Sequence, residues 1–207
     1  MGVWLQTEIQ PVTGSASDAV RNWLRPDSAG GLTLARAGGS VWGLWDGRPG
    51  LGFRSDTLLL FTHWSDDAIA GAAVDLLKAS TLIRGVTGTP LHPTVRPTSA
   101  EPCTGNGIWV FREFEVDATE AEHFVALSAE AWSSFEAAFD ARIHGLFRAP
   151  APSEGRAAFL LVTRYADLAT WEDSRSEQRD PQAWQRFRER HAITHWTRGR
   201  SAVRIDP

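Results

Sequence analysis

The sequence predicts an α+β fold in which one βαββαβ unit is written twice, and three observations carry that prediction. First, Gly107-Ile108-Trp109-Val110-Phe111-Arg112-Glu113-Phe114-Glu115 restates Gly2-Val3-Trp4-Leu5-Gln6-Thr7-Glu8-Ile9-Gln10 without a gap. Second, three further stretches recur in the same order. Trp42-Gly43-Leu44-Trp45 returns as His144-Gly145-Leu146-Phe147, residues 58–66 return as 159–167, and Val95-Arg96 returns as Val203-Arg204. The offsets are 105, 102, 101 and 108, a drift that changes in loop length produce. Third, segments of period two alternate with segments of helical period along each copy.

In the first copy, Val3, Leu5, Thr7 and Ile9 alternate with Trp4, Gln6, Glu8 and Gln10, the mark of a strand with two different faces. Ser15 or Ser17 is placed to cap a short helix over 18–24, stopped by Pro26. Gly30-Gly31 and Gly38-Gly39 bracket a region read as irregular before a strand over 41–45. Residues 46–50, Asp-Gly-Arg-Pro-Gly, form a turn signal. A strand over 57–64 leads to Ser65-Asp66-Asp67, which caps a helix to about Lys78 with an apolar stripe of Ile69, Ala73, Leu76 and Leu77. A fourth strand fits within 82–95, held to an edge or bent by its prolines.

Residues 97–106, rich in Pro, Thr, Ser and Gly, read as a linker, giving repeats at 1–96 and 107–207. In the second copy the strand over 108–116 runs into Thr119 and Glu122, spaced as a capping box. The helix that follows reaches about Phe139 and carries Phe124, Leu127, Ala131, Phe135 and Ala138 at helical spacing. Strands are expected over 143–148 and 157–165, a helical turn over 167–174, a helix opened by Asp180-Pro181 and ending near His191, and a last strand over 194–205.

Composition narrows the function. Hydrophobic residues at 43% and charged residues at 22% support a core and argue against wholesale disorder. A net charge of -4 argues against nucleic acid as the partner. Cys103 is the sole cysteine, which excludes an intrachain disulfide and a cysteine-based zinc site. No apolar run reaches membrane-spanning length and no leader pattern opens the chain, so a cytoplasmic protein without a membrane partner is expected. Ten tryptophans against one tyrosine either fill a core or line an apolar cavity.

A βαββαβ unit folds as a four-stranded antiparallel sheet with both helices on one face, the ferredoxin-like arrangement. The opposite face carries Trp4 and Trp109 and needs burial. Two copies in one chain provide it when their sheets pack into an intramolecular α/β-barrel, which leaves a homodimer open.

The second copy also resembles a known family. Its first strand, the helix segment Ala131-Trp132-Ser133-Ser134-Phe135-Glu136, then Gly145-Leu146-Phe147-Arg148, Leu160–Tyr165 and Asp180-Pro181-Gln182-Ala183-Trp184-Gln185-Arg186-Phe187 are similar to NIPSNAP proteins of the dimeric α/β-barrel superfamily. The resemblance covers residues 107–205 directly and 2–96 through the repeat. It implies the barrel fold and a superfamily of cofactor-free monooxygenases, cyclases and isomerases alongside haem proteins. It does not fix a reaction.

His63 replaces Arg164 and His144 replaces Trp42 between the copies, so each marks a specialised half or else a half-exposed strand position. His191 and His195 have the spacing of a metal pair, but the helix ends between them and no carboxylate stands near, so no metal is expected. Glu113, duplicated as Glu8, is either a desolvated acid–base or a partner for Arg112, Arg96 or Arg204. Arg112 lies on the apolar face of its strand, where it pairs with a buried acid or holds a ligand oxyanion. Trp132 and Glu136 border the stripe of the long helix. In related barrels the ligand cavity lies between such a helix and the sheet, which would bring them together with Tyr165, His144 and Arg112.

The leading expectation is a cofactor-independent enzyme for an aromatic or polyketide-like molecule. His144 or Glu113 would take a proton, Arg112 or Arg164 would hold the oxyanion, and Trp132, Tyr165, His63 and Trp42 would complete the ligand site. The alternatives are a haem protein with His123, His144 or His63 as axial ligand, and a non-catalytic ligand-binding or scaffold protein.

Overall fold

The computed structural model describes residues 2–12, 16–25, 27–47, 51–53 and 56–205, with the side chains of 16 and 17 left aside. The first repeat contains β1 (Val3–Pro11), α1 (Ala16–Trp23), α2 (Ala29–Arg36), β2 (Ser40–Asp46), β3 (Leu58–Trp64), α3 (Asp67–Lys78) and β4 (Ile83–Pro93). The second contains β5 (Ile108–Asp117), α4 (Ala121–Ala138), β6 (Ala141–Ala149), β7 (Arg156–Tyr165), α5 (Leu168–Asp173), α6 (Pro181–Ala192) and β8 (Thr194–Arg204). The antiparallel strand order is β1-β3-β2-β8-β5-β7-β6-β4 and is closed, the α+β barrel topology of two ferredoxin-like repeats.

The repeat extends to strand register. Leu5 faces Thr62 and Val110 faces Thr163, and both copies bulge at one place, between Val41 and Gly43 and between Ile143 and Gly145. The bulged residues are Trp42 and His144. The glycine that follows each is required by close approach: a Cβ on Gly43 would stand 2.2 Å from the Trp45 ring, and one on Gly145 2.5 Å from the Phe147 ring. In each copy the aromatic side chain two residues on occupies the space that a Cβ would need.

Within the first repeat, Val3, Leu5 and Ile9 pack against Val20, Leu34, Ala73 and Leu77 from the three helices and Leu24 just after α1. The other face of β1 joins an aromatic cluster of Trp4, Trp42, Trp45 and Phe61. Within the second repeat, Phe114, Phe124, Ala131, Phe135, Ile143 and Phe159 form the core between α4 and the sheet.

Several expectations need correction. The region between Gly30 and Gly38 is a helix, α2. Its glycines allow close packing: a Cβ on Gly30 would lie 2.5 Å from the Trp23 ring of α1. The helix α1 begins at Ala16, so Ser17 lies inside it, while Ser15 and Pro26 fall outside the described residues, as do residues 48–50 of the expected turn. In α3, Asp66 is the cap, accepting from the Ile69 N–H at 2.9 Å. Ile69 itself is exposed, and the buried stripe is Ala70, Ala73 and Leu77. The capping box at Thr119 does not form. A 3-10 turn over Ala118–Glu120 starts α4 later, and Glu122 pairs with Arg148 at 2.7 Å.

The segment between the repeats is shared by them. Pro93–Thr98 belongs to the second compact unit, where the Thr94 N–H donates to Leu146 O at 2.9 Å. Ser99–Thr104 belongs to the first, where the Cys103 N–H donates to Trp42 O at 2.7 Å. Strand β8 is divided likewise: its start lies with the second unit, and its end, from Ser201, pairs with Leu51 and with β2 in the first.

Candidate functional site

On the helix-facing side of the second sheet, a cavity of about 350 Å3 opens between β5, β6, β7 and the helices α4 and α6. Period two places Val110, Arg112 and Phe114 of β5 on this face, and register sets Leu161, Thr163 and Tyr165 of β7 beside them. Trp132 and Phe135 of α4 close one side. The chain after α5 adds Ser174 and Arg175, and α6 adds Trp184, Phe187, Arg188, Arg190 and His191. Asp180 fixes α6 by accepting from the Ala183 N–H at 3.0 Å, with Pro181 in the first turn.

The charge of this cavity is one-sided. Four guanidinium groups line it, Arg112, Arg175, Arg188 and Arg190, and no carboxylate does among the described residues. Arg190 is 8% exposed and its head lies against the rings of Phe114, Phe187 and Phe124, at 4.8, 5.1 and 5.6 Å. Among the described residues its one polar side-chain contact is the neutral Ser128 hydroxyl at 3.3 Å. Burial, with repulsion from Arg112, pulls its pKa down to about 10. An ion held this way costs several kcal/mol, which ring contacts and one neutral hydrogen bond offset only in part. Arg112 is also depressed, by burial first and then by Arg175. The Tyr165 hydroxyl is pushed up by burial, so it is a protonated donor at neutral pH, next to the Ser174 side chain. Phe135 stands edge-on to both Tyr165 and Phe187, giving the pocket an aromatic wall.

Of the residues expected to form the catalytic or ligand site, Arg112, Trp132 and Tyr165 meet in this cavity. The others lie elsewhere. Glu113 faces the other side of β5 and ties β8 down, accepting from Arg198 at 2.8 Å and Arg200 at 2.7 Å. His144 sits at the β6 bulge with its ring 4.4 Å from Trp109. Among the described residues its Nε2 has no hydrogen-bond partner, and burial lowers its pKa to about 4. Arg164 is anchored by Asp140 and by Asn106 O. Glu136 accepts from Arg96 at 2.7 Å and from the Ile143 N–H at 2.8 Å. In the first repeat, His63 meets Trp4 edge-on and Trp42 lies in the aromatic cluster.

The repeat shows why the cavity is in the second copy. Thr7 stands where Arg112 does, and Trp64 stands where Tyr165 does. Trp64 is fully buried against Gly39, with its Nε1 donating to Thr62 Oγ1 at 2.6 Å. A large ring fills in the first repeat what the second leaves open.

Reading the sequence missed Arg175 and Arg190, and gave Trp184, Phe187 and His191 no place in a ligand site. A signal was present for Arg190. It follows Ala183 by seven residues and Phe187 by three, which puts it on the apolar stripe of α6.

No protein-family model and no curated protein matches the chain. Solved structures do. An anthrone oxidase-like protein superposes with a TM-score of 0.66 at 12% identity, over 99% of this chain and 92% of its own. What is shared is the fold. A ferredoxin-fold protein from Listeria monocytogenes, related to antibiotic biosynthesis monooxygenases, gives 0.51 at 10% identity over 100% and 97%. A heme-binding protein from Thermus thermophilus gives 0.54 at 12% identity over 99% and 92%.

The histidines named as haem ligands do not fit such a group in this cavity. His123 is exposed and 3.1 Å from Glu120, His144 lies against Trp109, and His63 belongs to the first repeat. The imidazole that lines the cavity is His191, in the last turn of α6. Among the described residues no group of three or more His, Cys, Asp or Glu side chains could hold a metal ion, and His195 is paired with Asp117 at 3.1 Å. No helix among the described residues is long and apolar enough to cross a membrane.

Proposed function

We propose that this chain binds a small aromatic or polyketide-like anion in the cavity of its second repeat and acts on it without an organic cofactor, as a monooxygenase, cyclase or isomerase does. The observation that carries the reading is Arg190, a guanidinium buried among three rings and, among the described residues, with only a neutral hydroxyl for a partner. Such a charge is compensated when an anion enters. The aromatic walls give the rest of the ligand a face to stack on, and about 350 Å3 is the scale of a small-molecule site.

The same groups suit chemistry that develops negative charge on oxygen. Arg112 and Arg190 would hold an enolate or phenolate oxygen, and the protonated Tyr165 hydroxyl would donate to it. Neither Glu113 nor His144 reaches the cavity, so His191 is the lining group able to accept a proton. The fold of the neighbouring structures, one anthrone oxidase-like and one related to antibiotic biosynthesis monooxygenases, supports the reaction class by analogy only.

Calorimetric titration with 2-naphthoate and its neutral isostere 2-naphthamide tests the reading. Saturable binding of the carboxylate, about tenfold or more tighter than the amide and lost in R112A, is expected. Equal binding of the two, or no saturable binding of either, would overturn it.

A further inference from the structure

Resting on that reading, we infer that Ser128 is a positioning residue of the anion site: it seats the Arg190 guanidinium without neutralising it, and so leaves the charge for the ligand. Two polar residues stand in apolar stripes that face each other. The stripe of α4 carries Phe124, Leu127, Ala131, Trp132 and Phe135, and Ser128, fully buried, is the one hydroxyl within it. The buried residues of α6 are Ala183 and Arg190. The two odd residues meet, with Arg190 Nη1 donating to Ser128 Oγ at 3.3 Å. The hydroxyl proton is already committed, since Ser128 Oγ donates to Phe124 O at 2.7 Å, one turn back along α4. Toward Arg190 it therefore presents lone pairs only.

The same two helices meet at a second arginine and treat it differently. Arg186, one turn before Arg190, pairs with Glu130 of α4 at 2.9 Å and with Glu189 of its own helix at 2.7 Å. Glu130 is two residues beyond Ser128. Thus α4 brings a carboxylate to the arginine whose side chain is 35% exposed, and a neutral oxygen to the one that is buried, where an unpaired charge costs most. The rings of Phe114, Phe124 and Phe187 surround the Arg190 head without offering a lone pair, so among the described side chains Ser128 alone sets its hydrogen-bonding direction. A carboxylate at 128 would hold the head as well, but would cancel the charge that an entering anion compensates. A hydroxyl holds it and leaves that charge in place.

Calorimetry on the full chain with 2-naphthoate and 2-naphthamide tests the role of Ser128. The ratio of the two affinities reads the charge, because a packing fault weakens both probes alike. In S128D the carboxylate preference of about tenfold or more is expected to fall to within about twofold. S128N brings a neutral side chain of the same size, and its preference is expected to stay at least about threefold above that of S128D. S128A removes the seat with no added bulk. It is expected to weaken 2-naphthoate about fivefold or more while changing 2-naphthamide by less than about twofold, and it decides the matter if neither larger variant folds. Equal preferences in S128D and S128N, or 2-naphthoate binding to S128A within twofold of wild type, would overturn the role of Ser128 and leave the anion site intact. A wild-type chain that does not prefer the carboxylate would overturn both this inference and the function on which it rests.

Discussion

The imidazole of His144 gives the account a quantitative prediction that is independent of any ligand. In the folded chain its pKa is lowered from 6.5 to about 4, first by burial and then by the cations around it, of which Arg142 acts most strongly. A base whose folded pKa lies below its unfolded pKa is neutral in both states above pH 6.5 and costs nothing there. As pH falls from 6.5 to about 4 the unfolded chain takes up a proton that the folded chain refuses, so stability is lost across that window. At roughly 1.4 kcal/mol per pH unit the full loss is about 3 kcal/mol, and solvent reaching the partly exposed ring trims it to about 2. Among the described residues its Nε2 has no hydrogen-bond partner and its ring packs on Trp109, so H144F loses no hydrogen bond and keeps an aromatic contact. Urea midpoints at pH 7.5, 6.5, 5.5 and 4.5 are the assay. Wild type and H144F are expected to be within about 0.5 kcal/mol at pH 7.5 and to diverge by about 2 kcal/mol in favour of the variant at pH 4.5. Parallel curves would refute the reasoning, because they would mean the imidazole protonates inside the fold without cost.

Three further changes follow from the same structure. R190M replaces the buried guanidinium by an apolar side chain of similar reach. It is expected to leave the ligand-free protein as stable or up to about 2 kcal/mol more so in urea, while abolishing 2-naphthoate binding; a loss of more than about 3 kcal/mol would mean the charge is already compensated. E113Q weakens the tie to Arg198 and the buried Arg200, and should cost about 2 kcal/mol with naphthoate affinity unchanged within twofold. A tenfold fall in that affinity would place Glu113 in the site after all. G145A drives a Cβ toward the Phe147 ring and Pro97 and is expected to lower stability by about 1–3 kcal/mol in the same assay; an unchanged midpoint would show that the ring can move aside.

The duplication was legible because strand alternation and turn residues are local, and the register of Leu5 with Thr62 and of Val110 with Thr163 repeats what the aligned letters imply. Helix α2 was not, because glycine is read as a breaker when its packing is unseen. Gly30 is there to let the Trp23 ring approach, which only the fold reveals. The missing capping box has a similar cause, since a 3-10 turn moved the helix start and freed Glu122 to pair with Arg148. In the site, Arg112, Trp132 and Tyr165 could be found because each sits on an element whose apolar face is plain from its period. His144 and Glu113 had the right chemistry on the wrong face of their strands: a bulge re-aims the first, and the second meets arginines of β8 that are about 85 residues away in sequence. Arg190 was hidden because a charged letter reads as surface, although its position on the stripe of α6 says otherwise.

The central claim is that an anion enters the second repeat between the guanidinium groups of Arg112 and Arg190. A crystal structure of the protein grown with 2-naphthoate tests it directly. Ligand density is expected in the cavity between α4, α6 and the sheet, with the carboxylate in hydrogen-bond reach of Arg112 or Arg190 and the rings against Phe135 and Phe187. Density for the ligand elsewhere with this cavity filled by side chains, or a carboxylate turned away from both arginines, would contradict it.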